Sequence, residues 1–240
     1  MAGSRELEAL IWRGGADGRF VAYRVPVWPR QTVLDLVTYV QRRLDPTLAY
    51  RFACRVGMCG SCAMQVGATP RWTCRTQASQ VARDGRIRIA PLRHFPIIRD
   101  LVVDMRPFFE RWQQARGRFV PSDADSADFA RIEPKSPERD AADAGIECIG
   151  CGVCHAACDV VGWNEGYLGP AALNRAWTLV NDARDGDRKG HLAAVATDAG
   201  CHLCHSHESC TRSCPKHLSP TASIAGLKRA ALHAALKGEL

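Results

Sequence analysis

The chain has 240 residues, which leaves room for two modest domains, and no apolar stretch in it approaches the length of a membrane span. Its first residues lack the charged start and apolar core of a secretory signal, so we expect the twelve cysteines to serve metal or redox chemistry in preference to a disulfide framework. The formal net charge is +7, but basic residues are interleaved with apolar and acidic ones, which favours a mildly basic surface facing an acidic partner or a membrane over a nucleic-acid site.

The first hundred residues have the pattern of a small mixed α/β domain. Apolar side chains recur at every second position in two runs, which are Leu7, Ala9 and Ile11 and then Val21, Tyr23, Val25 and Val27. This period predicts two half-buried strands, joined as a hairpin through the glycines at 14, 15 and 18. Thr32 and Asp35 form a capping-box pattern that predicts a helix. The packed face of that helix is expected to carry Leu36, Val37, Val40 and Leu44.

The first cysteine group falls inside this domain. Cys54, Cys59 and Cys62 read C-x4-C-x2-C, with Cys74 further on, which is the spacing of plant-type 2Fe-2S ligands. Glycines in the loop permit positive φ and tight turns that bring amide N–H groups toward the sulfurs. Short strands are predicted around residues 63–66 and 86–90. We therefore expect a β-grasp ferredoxin domain that holds a 2Fe-2S cluster.

The second half of the chain is helical in character. Pro107 is expected near the start of a helix whose packed face carries Phe108, Phe109 and Trp112. Residues 121–145 are rich in Asp, Ala, Ser and Pro, so this segment is predicted to form a surface connection.

Two later helices have clear start signals. One begins at Pro170 and has an apolar stripe at helical spacing, formed by Leu173, Ala176, Trp177 and Val180. The last helix is predicted to begin at Pro220 with Ser219 as its N-cap, to bury Ile224 and Leu227, and to end near Gly238. The chain is therefore predicted to be α+β, with a β-grasp 2Fe-2S ferredoxin domain at 1–105 and an α-helical, bacterial-ferredoxin-like domain at 106–240.

Seven further cysteines follow two unequal copies of one iron–sulfur pattern. The first copy reads C-x2-C-x2-C-x3-C, and the second repeats that frame with His207 in place of its second cysteine and Pro215 after its last. In this pattern the first three cysteines bind one cluster and the fourth binds the other. The crossed frame therefore predicts a 4Fe-4S cluster on Cys148, Cys151, Cys154 and Cys214. Three thiolates remain for a second cluster and suit 3Fe-4S: Cys158, Cys204 and Cys210.

The cysteine pattern leaves alternatives open. Zinc is the serious rival, because C-x2-C pairs near histidines also suit tetrahedral zinc, but zinc does not require the crossed frame together with a plant-type loop. Cys201 has no ligand role in the frame and is expected to be a small buried thiol, with ligand substitution or redox activity as the other readings. His207 stands where a fourth cysteine would be, and imidazole can bind cluster iron. Asp159 follows Cys158, and its ionised carboxylate would lower the potential of the last cluster.

With these motifs placed, the chain resembles the iron–sulfur subunit of succinate dehydrogenases and fumarate reductases along nearly its whole length. The resemblance rests on the segments 54–62 with Cys74, 100–104, 136–138, 168–172 and 204–216. It implies electron transfer between FAD in a flavoprotein subunit, where succinate and fumarate interconvert, and a quinone in the membrane. The implied order of carriers is FAD, 2Fe-2S, 4Fe-4S, 3Fe-4S and quinone. The chain itself has no dinucleotide fingerprint and no evident acid–base site for the organic step, which agrees with a substrate site on the flavoprotein.

The resemblance also implies partners and a location. We expect a membrane anchor of one or more subunits, with or without haem b, and no nucleic acid. The complex would lie peripherally on the cytoplasmic face of a prokaryotic inner membrane, or on the matrix face of the mitochondrial inner membrane in a eukaryote. Three residues match family positions near the quinone: Trp163, His205 and Lys228. The alternative readings are a packed tryptophan, a solvent-facing histidine and a lysine on a helix surface.

Two other functions compete with this reading. One keeps the clusters but changes the flavoprotein partner, as in a thiol-driven fumarate reductase. The other, from a different class, is a zinc-stabilised scaffold that moves no electrons. The physiological direction stays open, because succinate oxidation and fumarate reduction use the same ligands.

Overall fold

The computed structural model describes residues 6–122 and 132–240. Its described residues form two compact units. The first unit comprises Met1–Met105 with Ile149–Ala157, and the second comprises Arg106–Cys148 with Cys158–Leu240. The segment 149–157, which the sequence-based division assigned to the helical domain, thus belongs to the first compact unit, and the domain limits themselves stay a prediction.

A five-stranded mixed sheet forms the body of the first unit. Its strands are β1 (Glu6–Arg13), β2 (Arg19–Pro26), β3 (Ala63–Val66), β4 (Thr69–Trp72) and β5 (Arg86–Ala90), in the order β2-β1-β5-β3-β4. Strand β1 pairs in parallel with β5, and the other pairs are antiparallel. The predicted hairpin of β1 and β2 and the two predicted short strands are confirmed. Strand β2 ends at Pro26, so Val27, which the alternation included, lies outside it and is exposed.

Helix α1 (Val33–Tyr39) packs on one face of this sheet. The predicted capping box is confirmed, because Thr32 Oγ1 accepts from the Asp35 backbone N–H at 3.1 Å and the Asp35 carboxylate accepts from the Thr32 N–H at 3.0 Å. The expected burial of Leu44 is wrong: α1 ends at Tyr39, a π turn follows at Val40–Leu44, and Leu44 is 45% exposed. The wider turn rotates its last residue off the apolar stripe. The remaining elements of this unit are α2 (Ala78–Val81), β6 (Ile97–Arg99), β7 (Val102–Val103) and the later α5 (Val153–Ala156).

A buried carboxylate ties the hairpin turn of the first unit to later segments. Asp100 is 2% exposed, and it accepts hydrogen bonds from the Gly14 N–H at 2.7 Å, the Ala49 N–H at 2.8 Å and Arg13 Nε at 3.2 Å. Both carboxylate oxygens are therefore used by protein donors. Removing them would leave two amides and a guanidinium without their acceptor.

We expect Asp100→Ala to destabilise the first unit by about 3 kcal/mol, because the buried donors lose their partners. Hydrogen–deuterium exchange should become faster at the amides of Gly14 and Ala49. Asp84→Ala is the matched control, since Asp84 has a similar positive φ (49° against 51°) but lies in an exposed turn. Equal exchange rates in the two variants would contradict the structural role of Asp100.

The second unit is a helical bundle. Its helices are α3 (Arg106–Gln114), α4 (Pro137–Ile146), α6 (Asp159–Trp163), α7 (Pro170–Val180), α8 (Arg188–Val195), α9 (Ser209–Ser213) and α10 (Pro220–Leu236). Helix α7 is central, and it contacts α3, α4, α8 and α10. Three residues of its predicted stripe are buried and Trp177 is partly buried, so the stripe is confirmed as core. The predicted last helix is also confirmed: Ser219 accepts from the Ala222 N–H, and both predicted core residues are buried.

Two predictions for this unit need correction. Phe108 is buried and Trp112 is partly buried, but Phe109 is 47% exposed and does not share the packed face of α3. The segment 121–145 is not only a surface connection, because its last part belongs to α4, with Ser136 as an N-cap that accepts from the Arg139 N–H. Residues 123–131 of that prediction lie outside the described residues. Within the described ranges, no helix combines the length and apolar character needed to cross a bilayer.

Candidate metal centres

The fold of the first unit brings the four cysteines of the plant-type loop together. Cys62 directly precedes β3, and Cys74 lies in a 3-10 turn directly after β4. The antiparallel pairing of these strands places Thr73 against Cys62, where the Thr73 N–H and hydroxyl both donate to the Cys62 carbonyl at 3.3 and 2.8 Å. Cys62 and Cys74 are buried, whereas Cys59 at the loop tip is exposed.

The loop backbone turns its amides toward the sulfurs, as the sequence predicted. Cys54 Sγ accepts from the Met58 N–H at 3.2 Å and the Cys59 N–H at 3.3 Å. Positive φ values at Arg55, Gly57 and Gly60 make these turns possible. The pKa of Cys59 is lowered to about 6, first because the Cys54 N–H donates to its sulfur. Such donors favour thiolates, so this loop fits the demands of a 2Fe-2S cluster.

Cys74, at the buried end of the same site, has its pKa shifted in the opposite direction from that of Cys59 at the exposed tip. Burial raises the pKa of Cys74 to about 11, with the Cys62 side chain as a hydrogen-bond partner. A bound cation would offset that desolvation, because a coordinating thiol loses its proton to the metal. Arg55 forms an ion pair with Asp35 at 3.0 Å, which links the loop to the start of α1.

The loop also approaches a second cysteine group within the first unit. Gly60 has φ +72°, and a Cβ added there would lie 2.4 Å from the Cβ of Cys151. Only a glycine permits this separation. Cys151 and Cys154, two of the predicted 4Fe-4S ligands, belong to the first unit, whereas Cys148 and Cys214 belong to the second.

The second unit gathers the three cysteines that the crossed frame left for the last cluster. Cys158, Cys204 and Cys210 line one pocket, together with Tyr167 and Thr221. Burial raises the pKa of Cys158 and of Cys210, so both need a cation to become thiolates. Two of the sulfurs have backbone donors: the N–H groups at the start of α6 reach Cys158, and the Ser206 N–H lies 3.5 Å from Cys204 Sγ. This donor set fits a cluster held by three thiolates.

The residues predicted to lie near the quinone adjoin this pocket. Trp163 is 72% exposed, and its ring lies 6.0 Å edge-on from the ring of His207, which in turn lies 6.2 Å from His205. Lys228 Nζ donates to the Cys204 carbonyl at 2.7 Å, so it is anchored next to a predicted ligand. The alternative reading of Trp163 as a packed residue is wrong. The assignment of all three residues to a quinone site stays a prediction.

The structure also places three other residues that the cysteine pattern singled out. Cys201 is fully buried, and burial raises its pKa to about 11, which confirms the expectation of a buried thiol. His207 is exposed, and His207 and Asp159 both line the pocket of the second unit. Ligation by His207 and the effect of Asp159 on the potential stay predictions.

Sequence reasoning missed two hydroxyl groups that contact the sulfurs of this pocket. Tyr167 is 1% exposed and forms a side-chain hydrogen bond with Cys204, while Thr221 Oγ1 lies 3.4 Å from Cys210 Sγ. The backbone carbonyl of Tyr167 accepts from Arg111 Nε at 3.1 Å, which fixes the segment between α6 and α7. No spacing or motif in the chain signals either hydroxyl.

Together these observations define an iron–sulfur protein with two domain types. Residues 11–110 match the family of 2Fe-2S iron-sulfur cluster binding domains, and residues 147–219 match the 4Fe-4S dicluster domain family. The predicted α+β architecture, a 2Fe-2S ferredoxin domain followed by a 4Fe-4S domain, is thereby confirmed.

Proteins similar to this one over most of its length are described as iron–sulfur subunits of fumarate reductase or succinate dehydrogenase. It is 35% identical over 221 residues to the fumarate reductase iron-sulfur subunit of Mycobacterium tuberculosis, which covers 91% of this chain and 88% of the relative. It is 35% identical over 203 residues to the mitochondrial succinate dehydrogenase (ubiquinone) iron-sulfur subunit 1 of Oryza sativa subsp. japonica, which covers 84% of this chain and 72% of the relative. The chain belongs to the family of succinate dehydrogenase and fumarate reductase iron–sulfur subunits.

A solved structure agrees with this assignment. A chain of the Mycobacterium smegmatis Sdh1 complex in the apo form superposes with a TM-score of 0.85 at 27% identity, covering 96% of this chain and 97% of that chain. The electron-transfer role predicted from the resemblance is confirmed at the level of the family. Relatives with both names match, so the physiological direction stays open.

Proposed function

We propose that this chain relays electrons between the FAD of a flavoprotein subunit and a membrane quinone, in a succinate:quinone or quinol:fumarate oxidoreductase. The observation that carries the proposal is the presence of three unlike cysteine sets in one member of this family. The proposed ligands are Cys54, Cys59, Cys62 and Cys74 for 2Fe-2S, Cys148, Cys151, Cys154 and Cys214 for 4Fe-4S, and Cys158, Cys204 and Cys210 for 3Fe-4S.

When bound, the clusters supply one-electron carriers, which can link the two-electron chemistry of flavin and quinone. The chain's own residues donate hydrogen bonds to some of the sulfurs and exclude water from part of the sites. At the first site, backbone N–H groups of the loop donate to Cys54, and Cys74 is buried behind them. At the third site, the start of α6 donates to Cys158.

The third site offers three thiolates to a cluster, since Cys158, Cys204 and Cys210 line its pocket. His207 lines the same pocket with an exposed side chain, and its ring lies 6.0 Å edge-on from the ring of Trp163. We propose a 3Fe-4S cluster on the three cysteines. A histidine-ligated 4Fe-4S cluster is the alternative, and the 3Fe-4S EPR signal of the oxidised protein distinguishes the two.

The quinone end of the relay is proposed to lie beside the third site. An exposed tryptophan next to two histidines is a large amphipathic surface, which suits an interface where one side is apolar and the indole N–H finds an acceptor. We assign Trp163 as the donor to a quinone oxygen, with His205 and Lys228 near the headgroup. A membrane anchor, with or without haem b, would cover this corner and hold the complex on the cytoplasmic or matrix face of the membrane.

Trp163→Phe tests this assignment, because it removes the indole N–H and keeps an aromatic ring. In the purified complex we expect succinate:quinone activity to fall about tenfold, the equivalent of one hydrogen bond of about 1.4 kcal/mol. Succinate oxidation with an artificial acceptor that takes electrons at the flavoprotein should stay unchanged. Trp28→Phe is the control, since Trp28 is also exposed but lies in the first unit.

Unchanged quinone activity in Trp163→Phe would contradict the quinone assignment. The identity of the co-purifying subunits tests the wider proposal: a flavoprotein and a membrane anchor are expected. A flavoprotein without any membrane subunit would instead favour a complex that does not use quinone.

A further inference from the structure

A series of hydroxyl groups leads from the start of α10 to a sulfur of the third site. Thr221, in the first turn of α10, places its Oγ1 3.4 Å from Cys210 Sγ. Thr211 Oγ1 donates to Thr221 Oγ1 at 3.0 Å, and Ser219 Oγ lies 3.4 Å from Thr211 Oγ1. Cys210 is 7% exposed, so this series reaches the sulfur in a largely water-free environment.

The hydrogen bonds fix the direction in which the protons point. A thiolate sulfur has lone pairs only, so the contact between Thr221 and Cys210 requires the threonine to donate. Thr221 can do so because its oxygen already accepts from Thr211. At the other end, Ser219 Oγ accepts from the Ala222 N–H, which leaves the serine proton for Thr211. The positive ends of these dipoles therefore all face Cys210.

Two more features add to this polarity. The 17-residue helix α10 begins at Pro220, so the positive end of its dipole lies on the same side as the hydroxyl series. On a second sulfur, the hydroxyl of Tyr167 makes a side-chain hydrogen bond with Cys204. A thiolate has no proton to donate, so in this contact the tyrosine hydroxyl must be the donor.

We propose that Thr221, supported by Thr211 and Ser219, raises the reduction potential of the cluster held by Cys158, Cys204 and Cys210, and that Tyr167 adds to this effect. An added electron increases the negative charge on the sulfurs, so a donor stabilises the reduced form more than the oxidised form. Low local polarity and mutual polarisation of linked hydroxyls strengthen the effect. The inference rests on the proposed function, because it assumes the 3Fe-4S cluster at this site.

The test is an EPR-monitored redox titration of the purified complex with Thr221→Val, which keeps the shape of the side chain and removes its hydroxyl. We expect the cluster signal to persist and its midpoint potential to fall by about 59 mV, a tenfold change in the one-electron equilibrium. Thr221→Ser should restore the wild-type potential. Thr178→Val is the matched control, because Thr178 is a buried threonine of the same unit whose hydroxyl donates to the Asn174 carbonyl.

Electron–nuclear double resonance in H2O and D2O gives a second readout. The wild type and Thr221→Ser should show an exchangeable proton coupled to the cluster that Thr221→Val lacks. An unchanged midpoint potential in Thr221→Val would overturn the inference. If that variant does not retain the cluster, Thr211→Val replaces it, and an unchanged potential there would overturn the inference equally. Absence of any 3Fe-4S signal from the wild type would instead refute the cluster assignment in the proposed function.

Discussion

Gly60→Ala is expected to prevent the plant-type loop from closing and to remove most of the 2Fe-2S cluster. The backbone at Gly60 has φ +72°, where a non-glycine residue is strained by about 1–3 kcal/mol. The added Cβ would also lie 2.4 Å from Cys151 Cβ and 3.1 Å from Cys151 Cα. Neither atom is the end of a flexible side chain, so the loop or the segment 149–157 must move. That adds about 1–3 kcal/mol of overpacking.

The movement would disturb two sets of proposed ligands together. Gly60 lies between Cys59 and Cys62, and Cys151 is a proposed ligand of the 4Fe-4S cluster. We therefore expect losses in both the 2Fe-2S and the 4Fe-4S EPR signals of the reduced protein, and lower iron and acid-labile sulfide contents.

Gly67→Ala is the matched control for this substitution. Gly67 also has positive φ, at +59°, but a Cβ added there meets no atom within 4 Å. The control therefore has the backbone strain without the overlap, and it should retain both clusters at a cost of about 1–3 kcal/mol. If Gly60→Ala assembled its clusters as well as Gly67→Ala, the close approach of the loop to Cys151 would be wrong.

Cys210→Ala should remove the third cluster, while Cys201→Ala should leave it in place. Both thiols are buried in the second unit, at 7% and 0% exposure, so the two substitutions create similar small cavities worth about 1 kcal/mol. Only Cys210 lines the pocket with Cys158 and Cys204. In Cys210→Ala only two thiolates would remain for the cluster, and the crossed frame has no other cysteine that could replace the lost ligand.

The measurements are the 3Fe-4S EPR signal of the oxidised complex and its succinate:quinone activity. Cys210→Ala is expected to lose both, while succinate oxidation at the flavoprotein persists with an artificial acceptor. Cys201→Ala is expected to keep both. Loss of the signal in Cys201→Ala together with its retention in Cys210→Ala would mean that Cys201 is the ligand.

Local sequence signals predicted the elements that carry the first site. The alternation of apolar residues predicted the hairpin of β1 and β2, and the capping box predicted the start of α1. Both features depend on neighbours within a few positions, so a local pattern reveals them. The same holds for the stripe of α7 and the Ser219 cap of α10. Cysteine spacing predicted which sulfurs the fold gathers at the plant-type loop and in the pocket of the second unit, since a cluster imposes its own geometry on the chain.

Sequence reasoning missed two local features of the fold and two side chains whose contacts depend on tertiary packing. Leu44 fits the helical stripe but is the last residue of a π turn, which no sequence pattern in the segment predicts. Helix α4 was not predicted because its segment is polar in composition, although Ser136 and Pro137 together form a good start signal for a helix. Tyr167 and Thr221 contact the sulfurs from positions outside the cysteine motifs, and Thr221 is eleven residues from Cys210. Their roles emerge only when α6, α9 and α10 are packed.

The most direct test of the proposed electron relay is EPR spectroscopy of the anaerobically purified complex, with spins quantified against iron and acid-labile sulfide. We predict a 3Fe-4S signal in the oxidised protein and separate 2Fe-2S and 4Fe-4S signals on stepwise reduction, each with its own midpoint potential. A zinc-loaded preparation with little iron and no paramagnetic signal on reduction would contradict the relay.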